Sequence, residues 1–150
     1  MPEVKAEIVV NAPLDTVYAI AKDIERFPDF MEDVQEVTIL EKTPERQVSK
    51  WVGAVREFNR TITWTEEDYW DDENHVCTFR QIEGDFTSYE GIWRFAEHPD
   101  GTLVELEITY EFNIPLIGPL IKGLLQKKFQ QNCQSMLEAL KREAERRAAG

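Results

Sequence analysis

The chain is short of cations, histidine, cysteine and long apolar runs, and each shortage removes a class of function. Seventeen Lys and Arg face 29 Asp and Glu, a formal net charge of −12. Sequence-independent phosphate binding rests on clustered cations that displace counterions, so direct nucleic-acid contact is not expected. Adsorption to an anionic membrane is disfavoured for the same reason. The two histidines, His75 beside an acidic turn and His98 in a His-Pro-Asp-Gly turn, read as surface residues. There is no histidine pair at metal spacing, no glycine-rich phosphate cradle and no nucleophile elbow. No metal and no cofactor is therefore expected, and hydrolase, kinase and metalloenzyme readings have no residue to stand on. Cys77 and Cys133 show neither zinc nor redox spacing and read as buried thiols in a reducing compartment. No basic stretch followed by an apolar core opens the chain, and no apolar run approaches the ~18 residues that span a bilayer. A soluble, cytoplasmic protein is expected. The acidic run Glu66, Glu67, Asp68, Asp71, Asp72 and Glu73 lacks the glycine and alternating spacing of a calcium loop, and reads as a solvated hairpin tip.

What is present is a strong two-period pattern. At 150 residues the chain reads as one domain, 1–150, able to bury about two thirds of its unfolded surface. Val4, Ala6, Ile8 and Val10 alternate in a first strand. Asn11 then reads as a helix cap and Pro13 as a first-turn residue, ahead of the stripe Val17, Tyr18, Ile20, Ala21 and Ile24. Pro28 ends that helix, and Phe27 to Met31 reads as a second short one. Strands follow near 34–41, 47–55, 58–69, 75–82, 86–97 and 102–112, separated by turn chemistry at Thr43-Pro44, Asp71 to Asn74, Glu83-Gly84-Asp85 and Pro99-Asp100-Gly101. In the last strand Val104, Leu106, Ile108, Tyr110 and Phe112 share one face while Glu105, Glu107, Thr109 and Glu111 share the other. From about Pro119 to Arg147 apolar residues recur at helical spacing, predicting a helix roughly 40 Å long. Its basic end, Glu143 to Arg147, suits a helix C-terminus without invoking a partner, and the oligomeric state stays open. Short turns between successive strands predict an antiparallel meander, so the fold class is α+β. One helix must then cover most of one sheet face, which leaves a hollow between them.

The face turned to that hollow is aromatic with polar exceptions. Phe58, Arg60, Ile62 and Trp64 share a face, as do Tyr89, Gly91, Trp93 and Phe95. An arginine on an apolar face must reach a rim, pair with a buried carboxylate or sit in a wet cavity. Arg60 raises that question directly. Arg80 raises it on a strand whose alternation does not fix its side. Gly91 among large rings either leaves volume unfilled or admits another backbone. Aromatic walls with a few placed polar groups are the usual make-up of a small-molecule site.

The segments Ile8-Val-Val-Asn-Ala-Pro and Asp23-Ile-Glu-Arg-Phe-Pro-Asp-Phe, with Glu83-Gly-Asp-Phe, Gly91-Ile-Trp-Arg-Phe and Glu111-Phe112, resemble the START-like (SRPBCC) superfamily of helix-grip proteins. Within it they are most similar to the polyketide cyclase/dehydrase and coenzyme Q-binding branch. The resemblance spans essentially the whole chain. It implies a seven-stranded antiparallel sheet curved around a long C-terminal helix, with two short helices after the first strand and a deep cavity for a hydrophobic ligand. It also implies carriers of quinones or lipids, aromatase/cyclases acting on polyketide chains, or ribosome-associating toxins. The cyclases' pocket arginine falls on Ile62 here and their tyrosine on Val34, with Arg60 one step along the same face. The expected ligand-binding residues are Phe30, Met31, Trp51, Phe58, Arg60, Trp64, Arg80, Tyr89, Trp93, Leu106, Tyr110, Phe129 and Met136. Of these, Trp51 stands on a strand that is apolar on both sides. The expected role is that of a carrier for a lipid, quinone or polycyclic molecule. The alternative is a cyclase or dehydratase in which Arg60, Arg80 or Tyr89 polarises a ketone.

Overall fold

The computed structural model describes residues 3–55, 60–112 and 119–149, apart from the side chains of 55, 60 and 119–121. A first strand, β1 (Glu3–Val10), leads into α1 (Leu14–Lys22), a single 3-10 turn (Ile24–Arg26) and α2 (Phe27–Phe30). Six strands follow: β2 (Val34–Lys42), β3 (Arg46–Val55), β4 (Arg60–Asp71), β5 (Val76–Gly84), β6 (Ser88–His98) and β7 (Gly101–Glu111). They end in α3 (Pro119–Ala149). The strands form one antiparallel sheet in the order β1-β7-β6-β5-β4-β3-β2. This is the helix-grip arrangement. Only the β1–β7 pairing is distant in sequence, because the turn-linked strands pair with their neighbours.

In β7 the alternation is complete: Thr102, Val104, Leu106, Ile108 and Tyr110 are buried, and the residues between them are partly exposed. In α3 Leu125, Cys133, Leu137, Leu140 and Ala144 are buried at helical spacing, the stripe that seats the helix. The helix lies along β1 and against α1 rather than flat over the whole sheet. Its side chains reach the free margin of β1, where Gln126 Nε2 donates to the Glu3 carbonyl (3.4 Å), Gln130 Nε2 to Lys5 (2.6 Å) and Lys141 Nζ to Val9 (3.1 Å). Strand-edge carbonyls are thereby satisfied by a helix, one of the ways proteins cover a sheet edge. Because α3 sits toward β1, the inner faces of β3, β4 and β5 are left with space above them.

One local reading needs correction and another is narrowed. Asn11 does not cap α1: Pro13 occupies the cap position and contributes no side-chain hydrogen bond, while the Asn11 amide donates to Glu145 Oε2 of α3 at 2.9 Å. Of the two readings of Gly91, unfilled volume or a close backbone approach, the second holds. A Cβ there would stand 2.4 Å from the Glu107 carbonyl oxygen and 2.5 Å from Cζ of Phe79, its cross-strand partner. The glycine lets that ring lie on the sheet backbone.

Candidate functional site

Between the inner sheet face and α3 lies a cavity of about 110 Å³. Strand parity places its walls. Trp51 and Trp64 are direct cross-strand partners with stacked rings, 5.8 Å between centroids and 9° between planes. Trp64 also meets Tyr89 at 5.3 Å and Phe86 at 5.7 Å. Phe86 in turn stacks on Tyr89 at 4.6 Å and contacts Tyr110, Phe112 and Phe129. The helix contributes Phe129, Asn132, Cys133 and Met136.

Eight of the residues singled out from sequence line this cavity: Trp51, Trp64, Tyr89, Trp93, Leu106, Tyr110, Phe129 and Met136. Met31 is buried in the core but outside the lining. Phe30 packs edge-on against Phe27 at 5.9 Å, and Phe27, which itself meets Trp51 at 5.7 Å, takes the lining position. Arg80 lies on the opposite face of the sheet. Its side chain is 65% exposed and its Nε stands 3.3 Å from Glu67 Oε1, so it reaches no interior ligand. Phe58 and the side chain of Arg60 lie outside the described residues. Val34 and Ile62, where the resemblance puts the cyclases' tyrosine and arginine, both line the cavity and are aliphatic.

The polarity of the cavity comes instead from residues first read as a solvated tip. Asp71, Asp72 and Glu73 are exposed as expected, but Glu66 and Asp68 continue the inward face of Ile62 and Trp64 and are buried. Glu67, facing outward between them, is also buried, where Arg46 bonds it at 2.6 and 3.0 Å. That guanidinium, reinforced by Arg80, holds the Glu67 carboxyl below its ordinary range. Among the described residues Glu66 and Asp68 have no such cation. Burial first, then the charge of Asp68, pushes Glu66 well above the ordinary carboxylate range, although Trp64 Nε1 donates to its Oε1 at 2.7 Å. Burial raises Asp68 as well, opposed by its hydrogen bond with Glu66. Both shifts favour the protonated form, so the buried pair together retains a proton more readily than two exposed carboxylates would.

Beside this pair, among the described residues, three buried polar atoms have no hydrogen-bond partner: Gln47 Oε1, Asp68 Oδ1 and Trp70 Nε1. Gln47 is the cross-strand partner of Asp68, and Trp70 is the next inward residue of β4. Above them burial raises the Tyr89 phenol well beyond its usual range, so it stays a neutral hydroxyl. The thiols of Cys77 and Cys133 also line the cavity, and burial lifts Cys133 to about 12. Among the described residues no cluster of three or more His, Cys, Asp or Glu is placed to hold a metal ion. None of the described helices is long and apolar enough to cross a membrane.

Comparison with known proteins gives a consistent context. Residues 10–137 match the family described as polyketide cyclase / dehydrase and lipid transport. A protein of Thermus thermophilus, known by crystal structure, superposes with a TM-score of 0.90 at 38% identity, covering 95% of this chain and 97% of its own. The Zhui aromatase/cyclase of Streptomyces sp. R1128 superposes with a TM-score of 0.89 at 25% identity, covering 99% and 97%. A Streptomyces cyaneus protein named "Putative polyketide cyclase" is 28% identical over 97 residues, 64% of this chain and 64% of its own length.

Proposed function

The chain belongs to the polyketide cyclase / dehydrase and lipid transport family, and from that premise we propose that it binds a small hydrophobic ring compound in the cavity beneath α3. The observation that carries this reading is the wall of stacked rings, Trp51 on Trp64 and Phe86 on Tyr89, around unfilled space. Flat, rigid side chains present π faces to a flat guest at little entropic cost. Size narrows the class. At about 110 Å³ the cavity is smaller than the ~150 Å³ apolar cavities that take up benzene, and well below the ~300 Å³ at which drug-sized sites begin. A single ring fits with modest adjustment of the walls, and a fused polycycle requires larger displacements. Burying ~150 Å² of such a ring at ~25 cal/mol per Å² gives roughly 4 kcal/mol, a millimolar affinity before any polar contact. Tighter binding needs expansion of the walls or the polar end of the cavity.

A carrier role in a reducing cytoplasm suits the buried free thiols. The acidic balance argues against a nucleic-acid partner. Gentle mass spectrometry of the intact protein, followed by organic extraction, tests the reading. A co-purified ring compound supports it, and failure of benzene, toluene and naphthalene alike to perturb the cavity residues refutes it.

A second reading, a cyclase or dehydratase, is favoured by one feature, the buried Glu66–Asp68 pair. A carboxylic acid beside a carboxylate can give one proton and take another at a single site. With Arg80 on the outer face, Tyr89 and Arg60 remain the proposed auxiliaries. Glu66→Gln separates the readings: a carrier keeps its ligand, whereas an enzyme keeps binding and loses turnover.

A further inference from the structure

We propose that the acidic end of the cavity is a hydroxyl-binding subsite, in which Asp68 Oδ1 accepts from, and Trp70 Nε1 donates to, the same hydroxyl group of a neutral ring ligand. The proposal rests on the cavity being a ligand site and adds the ligand's chemical class. Both atoms are buried, both residues line the cavity, and neither atom has a hydrogen-bond partner among the described residues, so a small outward movement of the wall brings a guest hydroxyl to them. Leaving a buried donor and acceptor unpaired is costly, so such atoms mark where something else belongs. The two residues stand two apart on the inner face of β4, so their side chains project side by side, roughly 7 Å apart at the backbone. Of the three orphans these two belong to lining residues, one an acceptor and the other a donor, whereas Gln47 is not part of the lining. A hydroxyl is both at once and satisfies the pair with a single oxygen. A ketone would leave Asp68 Oδ1 unpaired, and a carboxylate would meet the Glu66–Asp68 pair with like charge. The indoles of Trp51 and Trp64 do not compete for the ligand: Trp51 Nε1 donates to Ser49 Oγ at 2.8 Å and Trp64 Nε1 to Glu66 Oε1 at 2.7 Å. The class is therefore phenols and ring alcohols, with fatty acids and aromatic acids excluded.

Phenol and toluene, which differ by hydroxyl against methyl, supply the test, with benzoate as the charged control. Nitrogen–proton correlation spectra of the labelled full chain report the indole signals, and Trp70→Phe assigns the Trp70 signal by its loss. Phenol is expected to move the Trp70 indole proton downfield and toluene to leave it in place. Phenol should bind about tenfold more tightly than toluene, with benzoate weaker than both. Asp68→Leu and Trp70→Phe should each bring the ratio of phenol to toluene affinity close to one, whatever the change in either affinity alone, with thermal unfolding showing that the variants are folded. Equal affinities for phenol and toluene, or an ordered water at the position that phenol does not displace, would overturn the hydroxyl subsite and leave the ring-binding reading standing. If neither compound shifts any cavity signal, the ring-binding reading fails and the subsite falls with it.

Discussion

Glu66→Gln converts the protonation argument into a stability measurement. A glutamine reproduces the neutral glutamic acid: its oxygen can accept from Trp64 Nε1, as Glu66 Oε1 does at 2.7 Å, and its amide can donate to Asp68. In the folded wild type Glu66 is held above its ordinary range, so it keeps a proton that the unfolded chain has released. The sign follows from linkage. Stability from this group is complete below the ordinary carboxylate range and is lost as pH rises toward the folded value, because the folded state binds the extra proton. One extra proton makes wild-type stability fall by about 1.4 kcal/mol per pH unit within that window. The loss levels off once ionising the pair in place becomes the easier route. Two carboxylates near enough to hydrogen-bond, roughly 5 Å between charge centres, repel by about 3 kcal/mol at an effective dielectric of ~20. Glu66→Gln removes this drain. Urea unfolding at pH 5 should find the two proteins within about 0.5 kcal/mol of each other. By pH 8.5 the variant should be ahead by about 3 kcal/mol, or roughly 6–12 °C in Tm for a chain of this size. The background charge repulsion is shared by both proteins and cancels in the difference. A gap that stays constant from pH 5 to 8.5 would show that Glu66 is not the proton holder.

Three further outcomes are expected. Gly91→Ala drives a methyl group into the Glu107 carbonyl and the Phe79 ring, and thermal unfolding should show a loss of about 2 kcal/mol or more. Arg80→Leu removes an exposed partner from Glu67, which retains Arg46, so stability should change by less than about 1 kcal/mol. Ring-ligand affinity should not change at all, and a loss of affinity would mean that Arg80 reaches the cavity. Cys77 and Cys133 are buried with their thiols held protonated, so a thiol reagent at pH 8 should label neither until the protein unfolds. Fast labelling of the folded chain would show that the cavity opens widely.

The parts of the fold most legible in the sequence are those where one physical demand dominates. β7 must be half buried and α3 must bury a stripe, so their apolar periods of two and 3.6 residues survive intact. The aromatic walls are readable for the same reason: Trp64 on β4 and Tyr89, Trp93 and Phe95 on β6 stand at alternate positions of one face. Legibility failed where chemistry and parity point in opposite directions. Counting on from Ile62 and Trp64 places Glu66 and Asp68 inside, yet their ionised forms belong in water, and the acidic run around them suggested a tip. The resolution, that Glu66 is not ionised, depends on the cavity itself and cannot be read from local pattern. Arg80 failed differently. β5 alternates weakly, and the register shifts where Thr65 and Glu66 of β4 face Glu83 and Gln81, so only the three-dimensional pairing with Glu67 reveals its side. Phe86 has the opposite parity to Tyr89, Trp93 and Phe95, but it precedes β6, where strand parity does not hold, and it touches more rings than any tryptophan in the cavity.

The contacts from Gln126, Gln130 and Lys141 to β1 make the two borders of the sheet unequal. One border is chemically occupied, so an incoming chain would have to displace a docked helix before it could pair there. The other border is β2, where Leu40 is 54% exposed and the pairing with β3 is irregular between Val34 and Glu36 and again between Ile39 and Glu41. Irregularities of this kind, with Glu36, Glu41 and Lys42 alongside, resist strand addition by distortion and charge rather than by occupancy. Copies of this protein that associate through their backbones on heating would therefore do so at Val34–Lys42, and straightening that one strand would be enough to turn a guarded margin into an adhesive one.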